Sequence, residues 1–372
     1  MGYVAVKGGT KAIEESLKRV QYERVNQGRV LDLADIEGGM KGLIDQIMSE
    51  SSLYSETLAA IAIKQAEGNP EEAVFLLRAY RSTLPRKHYS RTSLSEQMRV
   101  ERRISASFKD VPGGQILGAS RDYAHRLLDF EMTQETNETV KRWLDAFIKE
   151  EGETSDETDL SHLPKVLDYL RRKGLMEECP VDDNKPDDVT RKSITFPSSR
   201  SQKLQILTRG QTGAVTSFAY AVIRGYGMLH PTVGELRVGY LPIYIDSPLV
   251  SSEEEEDAYY IGEIKVTEVE MLMPVMTEKE QGKKKELAFD FGYGLCFGQN
   301  ETKAIAMSIL DKSLEGDNPA IPSENEEFVL YHIDSVESTG FISHLKLPHY
   351  VTFQSSLNDV RKTKQMNDNK EV

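Results

Sequence analysis

Cysteine and long apolar stretches are scarce in this 372-residue sequence. Its only cysteines, Cys179 and Cys296, cannot supply the four thiolate ligands of many zinc and iron–sulfur sites. No apolar run approaches the roughly 20 residues that a membrane-spanning helix needs, and the N-terminus lacks the pattern of a secretory signal. We therefore expect a cytoplasmic protein without a membrane partner, in which any associated iron–sulfur cluster is held by another subunit.

Positive charge is also in short supply, because 46 Lys and Arg accompany 60 Asp and Glu, for a net charge of −14. Proteins that bind nucleic acid present a basic surface, so we expect no nucleic-acid partner. Basic residues are nevertheless concentrated over residues 191–237, where Glu235 is the only acid. Such a local excess suits a small polyanion, although solvated helix faces explain it more simply.

The first half of the sequence has the 3.6-residue hydrophobic period of helices. The period is clear over residues 11–25. Asn69 and Pro70 form a helix start, because Asn is a good N-cap residue and proline suits the first helical position. Further helices are predicted over residues 139–149 and 161–173.

A polar linker over residues 182–188 precedes a change of period. Alternating stretches beyond it predict strands over residues 236–245, 263–275 and 286–292. Helices are predicted over residues 202–207, 214–224, 301–314, 326–336 and 352–364. The sequence thus predicts an α+β protein, with a mainly helical domain over residues 1–180 and an α+β domain over residues 181–364. The second domain would contain a mainly antiparallel sheet flanked by helices, and residues 365–372 would form a flexible tail.

Two of the seven histidines, His344 and His349, bracket the tetrapeptide Leu-Lys-Leu-Pro. The pattern predicts a helix ended by Gly340 and then a short strand over residues 341–347. A turn at Pro348 would bring both imidazoles to one centre, where they suit a zinc-like ion. Two ligands do not complete a tetrahedral site, and the spacing alone favours two histidines with hydrogen bonds in a packed loop.

Two further stretches suit an anion. Glycines after Asp290 lead into a helix that Asn300 would cap, which indicates either close approach of a ligand or a tight strand-to-helix turn. Arg209 and Arg224 flank a predicted helix, and Arg237 lies close to Glu235 in the sequence. Guanidinium groups suit phosphate and phosphonate oxygens, but a buried ion pair is a serious alternative.

The ordered set of motifs resembles the PhnI family, a subunit family of the bacterial carbon–phosphorus lyase core complex. The motifs span nearly the whole chain. They are Tyr3-Val-Ala-Val-Lys-Gly-Gly, Phe75-Leu-Leu-Arg-Ala-Tyr-Arg, Pro112-Gly-Gly-Gln, His125-Arg-Leu-Leu-Asp-Phe, Arg224-Gly-Tyr-Gly, His230-Pro-x-Val-Gly-Glu, Phe291-Gly-Tyr-Gly-Leu-x-Phe-Gly and His344-Leu-Lys-Leu-Pro-His-Tyr. The acidic stretch over residues 253–257, expected to be a solvated hairpin loop, and the polar tail resemble the family least.

The resemblance implies a role in phosphonate use together with the PhnG, PhnH, PhnJ, PhnK and PhnL subunits. In this family the subunit is the nucleosidase-like component, with which an alkylphosphonate replaces adenine at the ribose C1′ of MgATP to give a ribose 1-alkylphosphonate 5-triphosphate. A separate radical iron–sulfur subunit, PhnJ, then cleaves the carbon–phosphorus bond. The family's histidine pair that matches His344 and His349 binds a zinc-like ion at the interface with PhnJ. We also expect two copies of the chain per complex.

Adenine displacement would build positive charge on the ribose and negative charge on the base. A carboxylate near the sugar would stabilise the first, and a proton donor would stabilise the second. We predict Asp290 and Glu235 as these carboxylates, although each suits a structural role equally well. The groups predicted to bind the triphosphate are Arg209, Arg224, Arg237, Asn300 and Lys303.

Two other functions fit the same residues. The chain would serve as a non-catalytic scaffold that assembles the PhnG, PhnH and PhnJ subunits, with the chemistry located elsewhere. It would otherwise be an independent metal hydrolase acting on a phosphorylated small molecule, but two histidines are too few for a self-contained catalytic metal site.

Overall fold

The computed structural model describes residues 9–151, 163–176, 184–225, 230–248, 258–278, 285–316, 318, 320–346 and 350–368. Its helices are α1 (Gly9–Val25), α2 (Leu33–Gly39), α3 (Lys41–Ser51), α4 (Glu56–Gln65), α5 (Pro70–Ser82), α6 (Asn137–Glu151), α7 (Val166–Arg172), α8 (Arg200–Arg209), α9 (Thr212–Gly225), α10 (Glu301–Ser313), α11 (Glu326–His332), α12 (Ser335–Ser343) and α13 (Tyr350–Asp368). Its strands are β1 (Arg99–Ile104), β2 (Thr232–Asp246), β3 (Ala258–Glu278) and β4 (Lys285–Phe297). Within these ranges, no helix combines the length and the apolar character that a bilayer span requires.

The described residues belong to two compact units. The helical unit lies within Met1–Pro85, Asn184–Tyr226 and Ser313–Val372, and the sheet unit lies within Arg86–Asp183 and Gly227–Lys312. Each unit therefore combines stretches that are distant in the sequence. The sequence predicted two domains, over residues 1–180 and 181–364, as pieces of the chain that fold independently. The compact units do not test independent folding, so this domain division stays a prediction.

The core of the helical unit follows the predicted helical period. Helices α3, α4 and α5 bury the apolar side chains on one face each, including Ile47, Ile63 and Leu77. The predicted start of α5 is confirmed, since the Asn69 side chain accepts a 2.9 Å hydrogen bond from the Glu72 N–H. This bond satisfies one of the N–H groups that a helix start leaves without an intrahelical partner.

The sheet unit contains an antiparallel sheet with the strand order β1-β2-β3-β4. The three predicted strands are confirmed, and each extends further than predicted at both ends. Strand β1 lies in the half of the chain that was predicted to be helical. It pairs with β2, with Arg103 opposite Arg237. The α+β fold class is therefore confirmed, with a sheet that draws one strand from the N-terminal half.

The glycine-rich stretch after Asp290 lies within β4 and contacts helix α10. A Cβ atom on Gly292 or Gly294 would collide with the carbonyl oxygens of Ser308 or Ala304, respectively. The two glycines thus allow the helix to pack directly on the sheet. The predicted tight turn follows at Gly298, whose φ is +67°, so the glycines serve helix packing and the turn.

Residues 341–346 are helical, and the predicted strand over residues 341–347 is wrong for them. Helix α12 extends through Ser343, and a 3₁₀ turn covers His344–Lys346. The reason is a strong helix start: the Asp334 carboxylate accepts hydrogen bonds of 2.9 and 3.2 Å from the N–H groups of Val336 and Glu337. Gly340 was predicted to end a helix, but it lies inside α12, where glycine costs about 1 kcal/mol relative to alanine.

The same cap explains why the predicted helix over residues 326–336 is two helices. Helix α11 ends at His332, and α12 begins three residues later, directly after Asp334. Helix α13 extends through Asp368, beyond its predicted end at residue 364. The predicted hairpin loop over residues 253–257 lies outside the described residues.

Candidate functional site

Charged side chains line one face of the sheet in what we call the sheet charge cluster. The cluster consists of Arg103, Lys165, Glu235, Arg237, Glu268, Glu270 and Tyr293. Strand pairing explains their proximity, because Glu235 lies opposite Glu270 and Glu270 lies opposite Tyr293. Arg237 lies opposite Glu268. Side chains two residues apart on a strand share a face, so these pairs form adjacent rows on one surface of the sheet.

Glu268 is the most highly connected acid of the cluster. Arg237 donates to its Oε2 from both Nε, at 3.0 Å, and the terminal guanidinium nitrogen. Tyr293 Oη and Lys165 Nζ donate to its Oε1 at 3.0 and 3.3 Å, respectively. Burial alone would raise the pKa of Glu268, but the charges of Arg237 and Lys165 outweigh it and lower that pKa. Glu268 is therefore the carboxylate that the cluster holds ionised.

Glu270 differs from its neighbour in both contacts and titration. Its Oε1 accepts from Lys165 Nζ at 3.2 Å, while its Oε2 has no hydrogen-bond partner within the described part of the chain. Burial raises the pKa of Glu270 to about 7, against the charge of Lys165 and with the help of Glu268. A proton added to the cluster near neutral pH consequently goes to Glu270.

Glu235 is held rigidly at the edge of the cluster. Arg103 donates from Nε to Glu235 Oε1 at 2.5 Å, and the Val166 N–H donates to Oε2 at 3.2 Å. Both residues are almost completely buried. The carboxylate thus anchors the first residue of α7 to the sheet, and both of its oxygens are engaged.

Arg103 also explains the Pro-Gly-Gly-Gln motif. It donates to the carbonyl oxygens of Pro112, Gly114 and Pro164 at 2.6, 3.1 and 2.8 Å. Gly113 has a φ of +83°, a conformation that favours glycine. These bonds fasten the motif's loop and the segment before α7 to the same buried guanidinium, which gives the motif a structural role.

Of the two predicted catalytic carboxylates, Asp290 is the one whose side chain is accessible to solvent. Its side chain is 39% exposed and forms an ion pair through Oδ2 with Lys312 of α10. Its Oδ1 accepts a 2.8 Å hydrogen bond from the Phe291 N–H. Asp290 therefore lies outside the sheet charge cluster, and the structure does not bring the two predicted carboxylates into one set of contacts.

The residues predicted to bind the triphosphate are dispersed. Arg237 belongs to the buried cluster, and burial opposes its charge while Glu268 raises its pKa above the ordinary value. Lys303 is buried within α10. Asn300 precedes α10, where its amide donates to the Phe297 carbonyl at 2.7 Å. Arg224 is exposed near the end of α9 in the helical unit.

Arg209 lies at the C-terminal end of α8, also in the helical unit. It is half-buried and donates from a terminal nitrogen to the Val189 carbonyl at 3.1 Å. Burial, followed by the charges of Arg78 and Arg81, lowers its pKa to about 10. Burial is the largest cause, so this shift indicates a guanidinium that is partly removed from water.

A pocket of about 270 Å³ lies elsewhere in the helical unit. Its lining includes Glu71, Glu72, Gln211, His332 and Ser335. The described lining residues contain two carboxylates and no lysine or arginine. The pocket therefore does not suit a triphosphate.

His344 contacts the backbone of its own helical turn through one ring nitrogen. Its Nδ1 is within hydrogen-bond distance of the Phe341 carbonyl oxygen, so this nitrogen carries the proton. Metal-binding histidines commonly make such a bond with one nitrogen and direct the other to the ion. His349 lies outside the described residues, and the described side chains include no group of three His, Cys, Asp or Glu suited to a metal. The predicted metal site therefore stays a prediction.

Several charged residues of the cluster were not singled out from the sequence, notably Glu268 and Glu270. A usable signal was present, because the two acids are two residues apart in a stretch otherwise rich in apolar and β-branched residues. Such spacing places both carboxylates on one face of a strand. Lys165, which pairs with both acids, and Arg103, which pairs with Glu235, come from distant parts of the chain and had no comparable local signal.

Comparison with known proteins agrees with the order of motifs. The family model described as bacterial phosphonate metabolism protein (PhnI) matches residues 2–367. A putative C-P lyase subunit protein, HtxH, from Stutzerimonas stutzeri is 42% identical over 370 residues, covering 98% of this chain and 96% of the relative.

Two further relatives are named alpha-D-ribose 1-methylphosphonate 5-triphosphate synthase subunit PhnI. The protein from Rhizobium meliloti is 41% identical over 378 residues, covering 98% of this chain and 96% of the relative. The protein from Escherichia coli is 40% identical over 369 residues, covering 98% of each. The chain therefore belongs to the PhnI family of bacterial phosphonate metabolism proteins.

Proposed function

We propose that this chain is the nucleosidase-like subunit of an alpha-D-ribose 1-methylphosphonate 5-triphosphate synthase. In the proposed reaction, an alkylphosphonate displaces adenine from MgATP and forms a ribose 1-alkylphosphonate 5-triphosphate. The observation that carries the proposal is the near-complete match to relatives with that synthase name, at 40–41% identity. Family membership over residues 2–367 supports a role in phosphonate metabolism.

Asp290 is the better placed of the two candidate carboxylates. An oxocarbenium-like ribose needs a carboxylate that contacts it, and the Asp290 side chain is 39% exposed. Lys312 beside it pairs with Oδ2. In this proposal Asp290 stabilises the positive ribose, and the phosphonate oxygen attacks C1′ as the C1′–N9 bond breaks.

Glu235 has a different place in the proposal. Both of its oxygens are engaged, by Arg103 and by the Val166 N–H. It would act on the reaction by positioning α7 and the sheet face, and direct contact with the ribose would require both bonds to break. The departing adenine must also gain a proton, which a general acid or water would supply.

We also propose contacts for the triphosphate and for a metal ion. Arg209, Arg224, Arg237, Asn300 and Lys303 are the proposed contacts for the triphosphate of MgATP. His344 and His349 would hold a zinc-like divalent ion with ligands from PhnJ, and such an ion supplies Lewis acidity when bound. The other proposed partners are PhnG, PhnH, PhnK and PhnL, in a cytoplasmic complex with two copies of this chain.

A scaffold role is the second candidate, and helix α6 favours it. None of its side chains is buried in the described chain. Val140, Trp143, Leu144 and Phe147 recur at helical spacing and are 42–63% exposed. An amphipathic face of this kind requires a partner surface, and a subunit that assembles others is expected to present one.

Adenine release separates the two candidates. The purified chain would be incubated with MgATP, with and without methylphosphonate, and adenine followed by chromatography. The nucleosidase-like role predicts adenine from the isolated chain or from any mixture that contains it, and loss of release in Asp290→Asn. Release that occurs only with other subunits and survives both Asp290→Asn and Glu235→Gln would favour the scaffold role.

A further inference from the structure

The pocket in the helical unit, which we call the acidic pocket, has a lining unlike that of an anion site. Glu71, Glu72, Gln211, His332 and Ser335 contribute to this lining, and the volume is about 270 Å³. That volume is close to the lower end of the range for ligand pockets, about 300–1,000 Å³, so a small molecule fits. The hydrogen-bond partners of each lining side chain show which kind of molecule the pocket suits.

Neither carboxylate of the pocket is paired with a cation among the described residues. Glu71 Oε1 accepts from Gln211 Nε2 at 3.0 Å, and its other oxygen has no partner there. Glu72 uses its N–H to bond the Asn69 cap, while its carboxylate has no partner in the same described residues. Glu72 is exposed and Glu71 is half-buried. Acids suit the first turn of α5 because of the helix dipole, and here both also offer oxygens to the pocket.

His332 adds a further acceptor to the same pocket. Its Nδ1 is 2.6 Å from the Phe328 carbonyl oxygen, so this nitrogen carries the proton. In the neutral ring, Nε2 then offers a lone pair. The Gln211 amide is occupied locally, because its nitrogen donates to Glu71 and its oxygen accepts from the Ala214 N–H at 2.8 Å. The charged side chains that line the pocket are therefore negative, and the imidazole is a third acceptor.

Ser335 provides a second, independent indication of a ligand. It lines the pocket at the start of α12 and is only 5% exposed. Its hydroxyl oxygen has no hydrogen-bond partner in the described part of the chain. A buried polar group without a partner costs free energy comparable to a lost hydrogen bond. A hydrogen-bond donor bound in the pocket would relieve this cost, whereas an apolar molecule would not.

We propose that the acidic pocket binds the ammonium group of a small primary amine. Such a group has one positive charge and three N–H donors, which suit the two carboxylates and the imidazole nitrogen. A metal ion suits the pocket less well, because the described side chains include no group of three His, Cys, Asp or Glu placed to hold one. This inference goes beyond the proposed function and does not depend on it.

Titration of the full chain with ethanolamine, followed by ligand-detected NMR, tests the proposal. Ethylene glycol, which has a similar size and no charge, is the ligand control. All titrations would be made at one ionic strength, because salt screens interactions between exposed charges. We expect saturable binding of ethanolamine and no binding of ethylene glycol. Tighter binding of 2-aminoethylphosphonate than of ethanolamine would identify an aminoalkylphosphonate as the occupant, and weaker binding would identify a simple amine.

Glu72→Gln is the most informative variant, because the carboxylate it removes has no partner in the described chain. It should raise the Kd for ethanolamine about fivefold or more. Ser335→Ala should raise it about twofold or more, since a hydroxyl partner is lost. Glu56→Gln is the matched control, because Glu56 is an exposed acid in the first turn of α4 and does not line the pocket. Circular dichroism would verify that each variant folds.

The proposal is overturned if neither amine binds, or if ethylene glycol binds as tightly as ethanolamine. It is also overturned if folded Glu72→Gln and Ser335→Ala keep the wild-type affinity, or if Glu56→Gln weakens binding as much as Glu72→Gln. These titrations use neither ATP nor other subunits, so their result is independent of the adenine-release experiment. A chain that binds the amine but releases no adenine would keep this site and lose the proposed reaction.

Discussion

At the scale of single residues, Arg103 gives the clearest expectation about stability. It is fully buried, pairs with Glu235 and donates to three carbonyl oxygens. Removing one partner of a buried ion pair leaves the other charge uncompensated and costs about 3–5 kcal/mol. Arg103→Gln should therefore lower the free energy of unfolding by that amount, measured by chemical denaturation.

Arg99→Gln in the same strand is the matched control. Its side chain is 57% exposed and pairs with Glu263 at 3.3 Å, so its loss should cost about 1 kcal/mol or less. Equal destabilisation by the two substitutions would contradict the role assigned to Arg103.

Glu270 gives an expectation about pH. Its folded-state pKa, raised to about 7 from 4.5 mainly by burial, means that the folded protein binds the proton more tightly than the unfolded chain. Its contribution to stability is therefore present below about pH 4.5 and is lost as the pH rises through about 7. In Glu270→Gln, the free energy of unfolding should fall less over this window than in the wild type.

Urea titrations at several pH values measure this difference. Glu263→Gln, in the same strand but at a partly exposed carboxylate, serves as the control and should keep the wild-type pH dependence. Parallel curves for wild type and Glu270→Gln between pH 4.5 and 7 would show that Glu270 titrates normally.

From the sequence, individual residues could be singled out where charge was locally unusual. Glu235 and Arg237 were singled out because a lone acid lies near a cation, and the structure places both in the sheet charge cluster. Lys165 and Arg103 could not be found in this way, because only the folded sheet brings them to Glu268 and Glu235. The burial that raises the pKa of Glu270 is likewise a property of the fold.

At the scale of elements, the packing of α10 on β4 depends on glycine. Gly294→Ala would place a methyl group against the Ala304 carbonyl oxygen, and backbone cannot yield as a side chain does. We expect Gly294→Ala to destabilise the protein by about 1–3 kcal/mol, as overpacked cores generally do. Thermal unfolding followed by circular dichroism measures the loss.

Gly42→Ala provides the comparison for that substitution. Gly42 lies in α3 with no atom within 4 Å of the added Cβ, so alanine should stabilise the helix by about 1 kcal/mol. A neutral Gly294→Ala would mean that α10 does not approach the sheet as closely as described.

Helix α6 leads to an expectation about assembly. Trp143 is the only tryptophan of the chain and is 63% exposed, so it reports on this helix alone. Its fluorescence emission should shift to shorter wavelength when the other subunits bind, because burial removes water from the indole. An unchanged spectrum in an assembled complex would show that α6 does not contact a partner through Trp143.

Helices and strands were predicted correctly where the local pattern was clear. Helix α5 begins after its predicted Asn69 cap. Strands β2 to β4 include the stretches of alternating pattern. Prediction failed after residue 340, because Gly340 was interpreted as a helix end. The start of α12 at Asp334 outweighs that local signal. Strand β1 was missed because its Arg-rich sequence has no strong alternation. Pairing with β2 and the burial of Val100 and Arg103 stabilise it in the fold.

At the scale of the whole molecule, the candidate residues occupy two compact units. Glu235, Arg237, Asp290, Asn300 and Lys303 belong to the sheet unit. Arg209, Arg224 and His344 belong to the helical unit. The ordered motifs predicted the family, since they cover nearly the whole chain, but motif order contains no information about which residues converge. Experiments with the assembled protein must therefore show which of these residues act together.

The measurement that tests the central claim most directly is single-turnover adenine release by a complete set of subunits, with this chain as wild type or Asp290→Asn. If Asp290 stabilises the ribose, the rate should fall at least a hundredfold, in the range typical of catalytic carboxylates, while the assembled complex elutes normally. Asp359→Asn on exposed α13 should release adenine at the wild-type rate. Undiminished release by the Asp290→Asn complex would contradict the assignment of this chemistry to Asp290.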